Sequence, residues 1–172
     1  MPSATQLIRR DHKKVEGLFD KFEQTKTDGA KKRIVDQAIR ELEIHAKLEE
    51  EIFYPAVRKQ IGEEDLLDEA KQEHQQAKEM MRELKKISDK GGELDEKFSE
   101  LMESVKHHVE EEENELLPKV EQSEMDLADL GDQILERKEE LQEEMQPSGA
   151  KSKTGRKSAK SSGRRRKSGR AA

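Results

Sequence analysis

Six side chains of metal-binding type recur at regular spacing along this chain of 172 residues. They are His12, His45, Glu49, His74, His108 and Glu112. Residues four apart project from one face of an α-helix, one turn apart, so His45 and Glu49 can grip a single centre. His108 and Glu112 repeat that arrangement, and the other two histidines add one imidazole each. Four imidazoles and two carboxylates in this pattern predict metal binding.

The two glutamates are the more informative part of the pattern. An ionised glutamate in a packed helical seam costs several kcal/mol unless it is paired or bound to a cation. The seams offer no lysine or arginine as a partner, so a divalent cation explains the glutamates and the histidines together. The chain has no cysteine, which excludes thiolate sites. Nitrogen and oxygen donors suit iron, manganese, cobalt or zinc.

Coordination counting favours two ions over one. Two six-coordinate ions offer about 12 positions, of which four histidines would fill about four and two bridging glutamates about four more. The remaining positions would serve a bridging oxide or hydroxide and exchangeable ligands such as water, O2 or peroxide. Carboxylate-bridged di-iron centres in helical bundles follow this logic. We therefore expect two iron ions, with manganese and zinc as alternatives.

Helices must position these side chains, because the apolar residues follow a spacing of three and four. The expected helices cover about residues 4–25, 31–61, 64–89, 94–121 and 125–145. Asp28-Gly29 should break the first helix from the second, Pro55 should bend the second or tighten its last turns, and Gly131 should interrupt and weaken the fifth. The predicted seam of the second helix is Val35, Ala38, Leu42, His45, Glu49 and Ile52.

The pattern occurs twice, which predicts two similar helical hairpins. Equivalent positions lie 62 or 63 residues apart: Asp11-His12 with Glu73-His74, His45 with His108, Glu49 with Glu112, and Pro55 with Pro118. Short loops make sequential helices antiparallel, so docking of the hairpins would bring both ligand sets to one place. The predicted fold is all-α: an up-down four-helix bundle over residues 1–122, an additional C-terminal helix over 123–146 and a disordered basic tail over 147–172.

The charge is divided between an acidic body and this basic tail. The tail has ten basic residues and no acid, which leaves 24 of the 34 basic residues and all 40 acidic residues in the body. The basic positions are Lys151, Lys153, Arg156, Lys157, Lys160, Arg164, Arg165, Arg166, Lys167 and Arg170. Such a tail either aids solubility or binds nucleic acid nonspecifically through phosphate contacts. It has no apolar membrane anchor, and with no evident signal peptide or membrane span a cytoplasmic location is expected.

The sequence resembles the hemerythrin-like family, also called the HHE cation-binding domain, from about Thr5 to Glu121. The motifs that carry the resemblance are Asp11-His12, His45-Ala46-Lys47-Leu48-Glu49 with Phe53-Tyr54-Pro55, Glu73-His74, and His108-Val109-Glu110-Glu111-Glu112 with Leu116-Leu117-Pro118. This resemblance implies a four-helix bundle with a non-haem di-iron site. Its ligands would be the six residues named at the outset.

The chain departs from the oxygen-carrying hemerythrins in two places. Lys78 stands where those proteins have a fifth histidine. His108 with Glu112 and Glu113 replaces their His-x-x-x-x-Asp motif. The sequence is instead similar to the variant group with two histidines and one glutamate in each half. That group is associated with iron-dependent sensing, oxidative or nitrosative stress, and peroxide chemistry.

Several residues and functions keep alternatives open. His107 competes with His108 as a ligand, although the register of the repeat favours His108. Tyr54, Glu16 and Lys78 are candidates for supporting contacts, with packing for Tyr54 and a solvated face for Glu16 as competing interpretations. The candidate functions are a sensor or protective protein that binds O2, peroxide or nitric oxide, a catalase-like peroxide-decomposing enzyme, and a metal-braced protein that binds nucleic acid through its tail.

Overall fold

The computed structural model describes residues 1–88 and 92–146, and all regular secondary structure within them is helical. The α-helices are α1 (Ala4–Gln24), α2 (Asp28–Leu48), α3 (Tyr54–Gln60), α4 (Glu64–Lys86), α5 (Glu93–Glu111), α6 (Leu117–Glu121) and α7 (Leu127–Glu144). The first π segment (Glu49–Phe53) joins α2 to α3, and the second π segment (Glu112–Leu116) joins α5 to α6. The four long rods are therefore α1, α2–α3, α4 and α5–α6, and short connections make neighbours antiparallel. The predicted all-α four-helix bundle is confirmed.

The connection between α1 and α2 lies earlier than the sequence predicts. α1 begins with a capping box, in which Ser3 and Gln6 each accept the other's backbone N–H. The predicted break at Asp28-Gly29 is wrong, because α2 begins at Asp28 and the break falls at residues 25–27. A negative charge is favoured in the first turn of a helix, and glycine costs only about 1 kcal/mol there.

Each π segment begins at one of the candidate ligand glutamates and is followed closely by a proline. Pro55 has no N–H to donate, and its ring crowds the carbonyl four residues earlier. The N–H of Tyr54 reaches back five residues to the carbonyl of Glu49, and the N–H of Leu117 reaches that of Glu112 in the same way. The prediction that the last turns tighten is therefore wrong, because the helix widens instead.

The first π segment also changes which side chains face the core. The regular spacing predicts Ile52 in the seam, but Ile52 is only half-buried, whereas Phe53 and Tyr54 are buried. A widened turn holds one more residue than an α-helical turn, so the inward position moves on by one. This shift brings Tyr54 to the layer that contains Glu49.

Two apolar clusters fill the bundle, with the histidines and glutamates between them. The proline-side cluster includes Leu7, Phe53, Leu67, Leu117 and Ile134. The loop-side cluster includes Phe19, Val35, Leu84, Phe98 and Leu101. Burying each large apolar side chain contributes about 1.5–3 kcal/mol. The two clusters therefore stabilise the fold and fix the polar layer that lies between them.

The C-terminal helix α7 packs against α1 and α2. A Cβ on Gly131 would come within 2.4 Å of the Pro2 carbonyl oxygen, so glycine allows α7 to approach the start of the chain closely. The expected interruption at Gly131 is wrong, because α7 continues through it. Lys138 of α7 also forms an ion pair with Asp11 of α1.

Two predictions fall partly on residues outside the described ranges. The predicted basic tail over 147–172 lies outside them, and so does Asp89, the expected end of the third helix. The corresponding helix α4 ends at Lys86. Within the residues that are described, none of the helices combines the length and the apolar character needed to cross a membrane.

Candidate metal centre

The six predicted ligands converge in the polar layer between the two apolar clusters, and all six are buried. Donor atoms within 4.8 Å of one another form a first group from His12, His45, Glu49 and Glu112. Donor atoms within the same limit form a second group from Glu49, His74 and His108. The two groups are adjacent because Glu49 belongs to both.

Glu49 lies between the two groups and directs one oxygen to each. Its Oε1 lies 2.9 Å from Nε2 of His45, in the first group. Its Oε2 lies 2.9 Å from Nε2 of His74, in the second group. Glu49 thus offers one carboxylate oxygen to each group, and its side chain has 0% relative exposure.

Glu112 approaches the same layer from the second half of the chain. Its Oε2 lies 3.1 Å from Nε2 of His12 and 3.9 Å from Nε2 of His108. Nε2 of His108 in turn lies 3.1 Å from Nε2 of His74. The Glu112 carboxylate is therefore shared between a histidine of the first group and a histidine of the second.

The buried donor atoms of the first group are arranged like the ligands of a cation. Four of its buried atoms have no hydrogen-bond partner in the described part of the chain: Nε2 of His12, Nε2 of His45, Oε1 of Glu49 and Oε2 of Glu112. They nevertheless lie in close pairs at 2.9 and 3.1 Å. Donor atoms bound to one ion at about 2.1 Å lie about 3 Å apart when their bonds are perpendicular. These atoms are spaced like metal ligands but are not aligned as hydrogen bonds, so the donor set fits a cation.

The outer nitrogen of each histidine faces a carboxylate from another helix or π segment. The Nδ1–oxygen distances are 2.8 Å for His12 with Glu113, 3.5 Å for His45 with Asp11, 3.1 Å for His74 with Glu50, and 3.4 Å for His108 with Glu73. A carboxylate accepts from Nδ1–H, which places the proton there and leaves the Nε2 lone pair directed at the centre. These contacts therefore favour the tautomer and ring orientation that metal binding requires.

The sequence analysis does not assign these four outer carboxylates as contacts of the candidate ligand histidines. Asp11 and Glu73 each precede a candidate ligand histidine, whereas Glu50 and Glu113 each follow a candidate ligand glutamate. The repeat carried a signal, because acidic residues occupy these positions in both halves. Which helix each one faces depends on how the rods are rotated in the bundle, and the repeat does not specify this.

Two lysines complete the surroundings of the centre. Lys78 donates to both oxygens of Glu50 at 2.7 Å, and Lys138 pairs with Asp11. With neutral histidines, the two ligand glutamates and four outer carboxylates give six negative charges, and the two lysines give two positive charges. The resulting formal charge of −4 would be balanced by two divalent cations.

The carboxylates make the centre attract positive charge strongly. Burial lowers the pKa of His45, but the carboxylates of Glu49 and Asp11 outweigh burial and raise it to about 10. At His108, burial also lowers the pKa, but the carboxylates of Glu49 and Glu73 outweigh burial and raise it to about 11. Burial raises the pKa of Glu49, but the neighbouring histidines hold it well below its usual range. A metal ion that binds here would therefore displace protons from histidine.

Tyr54 contacts both glutamates from the proline-side cluster. Its hydroxyl donates to Glu49 Oε2 at 2.9 Å and to Glu112 Oε1 at 3.1 Å, and it lies 3.4 Å from Nε2 of His74. A hydroxyl has one proton, so the two carboxylates share it. Burial and the two negative charges raise the pKa of Tyr54 well above its usual value, which keeps the hydroxyl protonated.

Glu16 and His107 lie away from the centre. Glu16 is exposed on α1 and belongs to neither ligand group, so the structure places it on the solvated face. His107 has a side chain that is 65% exposed, and its Nε2 lies 3.1 Å from Glu111 Oε1. His108 takes the inward position that the register of the repeat favours.

An apolar cavity adjoins the four histidines on the side of the loop-side cluster. Its apolar lining is Val15, Leu42, Ala46, Ala77, Met81, Val105 and Val109. The lining is otherwise the four histidines with Glu73 and Ser104, and its large apolar part favours small uncharged molecules.

Comparison with known proteins agrees with this architecture. The family model described as the hemerythrin HHE cation binding domain matches residues 3–120. A crystal structure of a hemerythrin HHE cation binding domain-containing protein from Mycobacterium kansasii superposes with a TM-score of 0.74 and 22% sequence identity. The superposition covers 84% of this chain and 90% of that one, and it supports the fold alone.

Two curated proteins are similar in sequence. A DNA nickase of Nostoc sp. is 34% identical over 110 residues, which cover 64% of this chain and 31% of the nickase. An uncharacterized hemerythrin-like protein of Schizosaccharomyces pombe is 28% identical over 123 residues, which cover 70% of this chain and 61% of that protein. The match thus spans less than two thirds of the length of each relative.

Proposed function

The chain belongs to the hemerythrin family of HHE cation binding domains, and we propose that it holds a non-haem di-iron centre that binds or reacts with O2, peroxide or nitric oxide. Its role would be sensing or protection under oxidative stress. In this proposal residues 1–122 form the metal-binding bundle, residues 123–146 brace it, and residues 147–172 form a basic tail. The ligands would be His12, His45, Glu49, His74, His108 and Glu112.

The observation that carries the proposal is the position of Glu49 between two groups of imidazole nitrogens. One carboxylate with an oxygen 2.9 Å from a nitrogen of each group is suited to hold two ions side by side. A single ion would leave one of the two groups without a cation. The formal charge of the surroundings also favours two divalent ions over one.

The residues around the centre would orient and shield the reaction. A bound iron pair would supply electrons and open coordination positions for the small molecule. The outer carboxylates hold the histidine rings in place, and the protonated Tyr54 hydroxyl offers a hydrogen-bond donor beside both glutamates. The apolar cavity limits the water around the histidines, which favours uncharged diatomic ligands.

Metal analysis of the purified full-length protein tests this proposal. We expect about two iron ions per chain, and about one in the His45→Ala and Glu112→Ala variants, each of which loses a ligand of the first group. Glu16→Ala is the matched control, because it removes an exposed carboxylate of α1 outside both ligand groups. Fewer than one metal ion per chain in the wild type, with no change in the ligand variants, would overturn the proposal.

A catalase-like enzyme is a second candidate, favoured by the position of Tyr54. Conversion of two H2O2 into O2 and two H2O requires protons to move between oxygen atoms, and the Tyr54 hydroxyl lies at the glutamates where they would move. Positioned proton donors contribute about a hundredfold or more to such steps. Oxygen release should therefore fall strongly in Tyr54→Phe, and turnover no faster than that of free iron would remove this candidate.

A third candidate is nucleic-acid binding through the basic tail, with the metal bracing the bundle. Ten basic residues within 147–172 and the similarity to a DNA nickase favour it. Binding through phosphates should weaken steeply with salt, with a slope in log–log form of up to about −9 for ten contacts. Deletion of residues 147–172 should abolish DNA binding without changing metal content. Retained binding after deletion would contradict this role.

A further inference from the structure

A third cluster of metal-binding side chains lies outside the buried centre. It comprises Glu73 of α4 with His107 and Glu111 of α5, whose donor atoms lie within 4.8 Å of one another. The side chain of His107 is 65% exposed, that of Glu111 30% and that of Glu73 15%. The cluster therefore runs from solvent inward, and we refer to these three residues as the outer cluster.

Glu73 connects the outer cluster to the buried centre. Its Oε1 faces Nδ1 of the candidate ligand His108 at 3.4 Å. Its Oε2 is buried and has no hydrogen-bond partner among the residues that the structure describes. A buried carboxylate oxygen without a partner costs free energy, and a cation held by Glu73, His107 and Glu111 would remove that cost.

A cavity between α4 and α5 joins the same two places. Glu69, Glu73 and Glu111 line it together with His108 and Glu112. Its walls therefore include two members of the outer cluster and two candidate ligands of the centre. Four carboxylates in one narrow cavity attract cations, and such clefts raise the association rate of oppositely charged ligands by about 10-fold to 1,000-fold.

The other half of the repeat lacks this feature, although its buried ligands are equivalent. The positions that correspond to His107 and Glu111, 63 residues earlier, are Ile44 and Leu48. Both are buried in the proline-side cluster, which also contains residues of α7. Asp11, the counterpart of Glu73, pairs there with Lys138 of α7. One side of the pseudo-symmetric bundle is thus covered and neutralised, whereas the other exposes a histidine and a glutamate.

We propose that Glu73, His107 and Glu111 bind a divalent transition-metal ion and pass ions through the α4–α5 cavity to the buried centre. One nitrogen and two carboxylate donors suit such an ion, and the partial exposure of the cluster allows exchange with solvent. The role in loading rests on the proposed metal centre, whereas binding at the outer cluster does not.

The loading role is tested by the rate at which the metal-free full-length protein takes up Co²⁺, followed by visible absorption in a stopped-flow instrument. The variant Glu111→Gln, which removes a carboxylate of both the outer cluster and the cavity, should fill the centre about tenfold more slowly than the wild type and reach the same final content. Glu110→Gln is the matched control, because it removes an exposed charge of α5 next to the cluster, and it should fill at the wild-type rate. Equal rates in Glu111→Gln and the wild type would overturn the loading role.

A second titration separates the outer cluster from the buried centre. In the variant with both His45→Ala and His74→Ala, which lacks one histidine of each buried ligand group, one Co²⁺ ion should still bind per chain, and this ion should be lost when His107→Ala is added. Absence of any bound Co²⁺ in the first variant would overturn the outer site itself. A wild type that never takes up two buried ions, while this outer ion still binds, would instead refute the proposed di-iron centre and the loading role.

Discussion

Replacement of Glu113 by glutamine should weaken one metal ion of the pair and spare the other. Glu113 Oε1 accepts from Nδ1–H of His12 at 2.8 Å, the shortest of the four outer contacts. His12 belongs to the first ligand group only. The side chain of Glu113 is 35% exposed, so Glu113→Gln keeps the shape of the side chain and leaves no charge buried without a partner. The change therefore acts on one imidazole.

The expected size follows from the role of the contact. Loss of a carboxylate that orients a ligand histidine typically lowers metal affinity by about 10-fold to 100-fold. This corresponds to about 1.4–2.7 kcal/mol. The amide of glutamine can still accept from Nδ1–H but carries no charge, so we expect the lower half of this range. Glu50→Gln should act on the second group through His74, to a similar or smaller extent because Lys78 also contacts Glu50.

Competition with a chelator of known affinity, followed by the visible absorption of Co²⁺, measures the two dissociation constants separately. Glu115→Gln is the matched control, because it removes an exposed charge from the same π segment. Chemical denaturation of the metal-free proteins checks that folding is unaffected, and we expect changes within about 0.5 kcal/mol.

The pattern across the variants decides the outcome. Glu113→Gln and Glu50→Gln should each weaken one ion, and their double variant should weaken both by roughly the separate amounts. Equal weakening of both ions by Glu113→Gln alone, or no weakening beyond that in Glu115→Gln, would refute the division into two groups that share Glu49.

Three further predictions follow from the same contacts. Tyr54→Phe leaves two buried carboxylates without their shared donor and should lower the free energy of unfolding of the metal-free protein by about 1–3 kcal/mol, measured in urea. Gly131→Ala places a methyl group against the Pro2 carbonyl and should cost about 1–3 kcal/mol, seen as a lower Tm. In the metal-free protein, His45 and His108 have pKa values raised to about 10 and 11. The protonated histidines stabilise the folded protein fully below about pH 6.5, and this contribution is lost as the pH rises to 10 and 11. Denaturation at several pH values should therefore show a free energy of unfolding that falls between about pH 6.5 and pH 11. Unchanged values in these three measurements would contradict the contacts described.

The ligand residues could be proposed from the sequence because they obey helical periodicity. His45 and Glu49, like His108 and Glu112, need only lie one turn apart on a seam to point inward together. The bundle follows from the same periodicity and from the short loops. These features depend on residues close together in the sequence, so helical periodicity and loop length are sufficient to predict them.

The features that the sequence analysis missed depend on contacts between elements. The π segments arise where Pro55 and Pro118 disturb the hydrogen-bond ladder, and the ladder can respond by bending, tightening or widening. Gly131 suggests a helix interruption by propensity, but its role is the close approach of α7 to Pro2. The outer carboxylates meet their histidines across helices, so the rotation of each rod decides their partners. The absence of a break at Asp28-Gly29 reflects the favourable charge of an acid in a first helical turn.

The central claim is that two cations share the Glu49 carboxylate, and a crystal structure of the iron-loaded protein tests it most directly. Anomalous scattering recorded at the iron absorption edge locates the ions independently of the protein density. We predict two peaks, one among His12, His45 and Glu112 and one beside His74 and His108, with Glu49 between them. A single peak, or two peaks that do not both contact Glu49, would contradict the account.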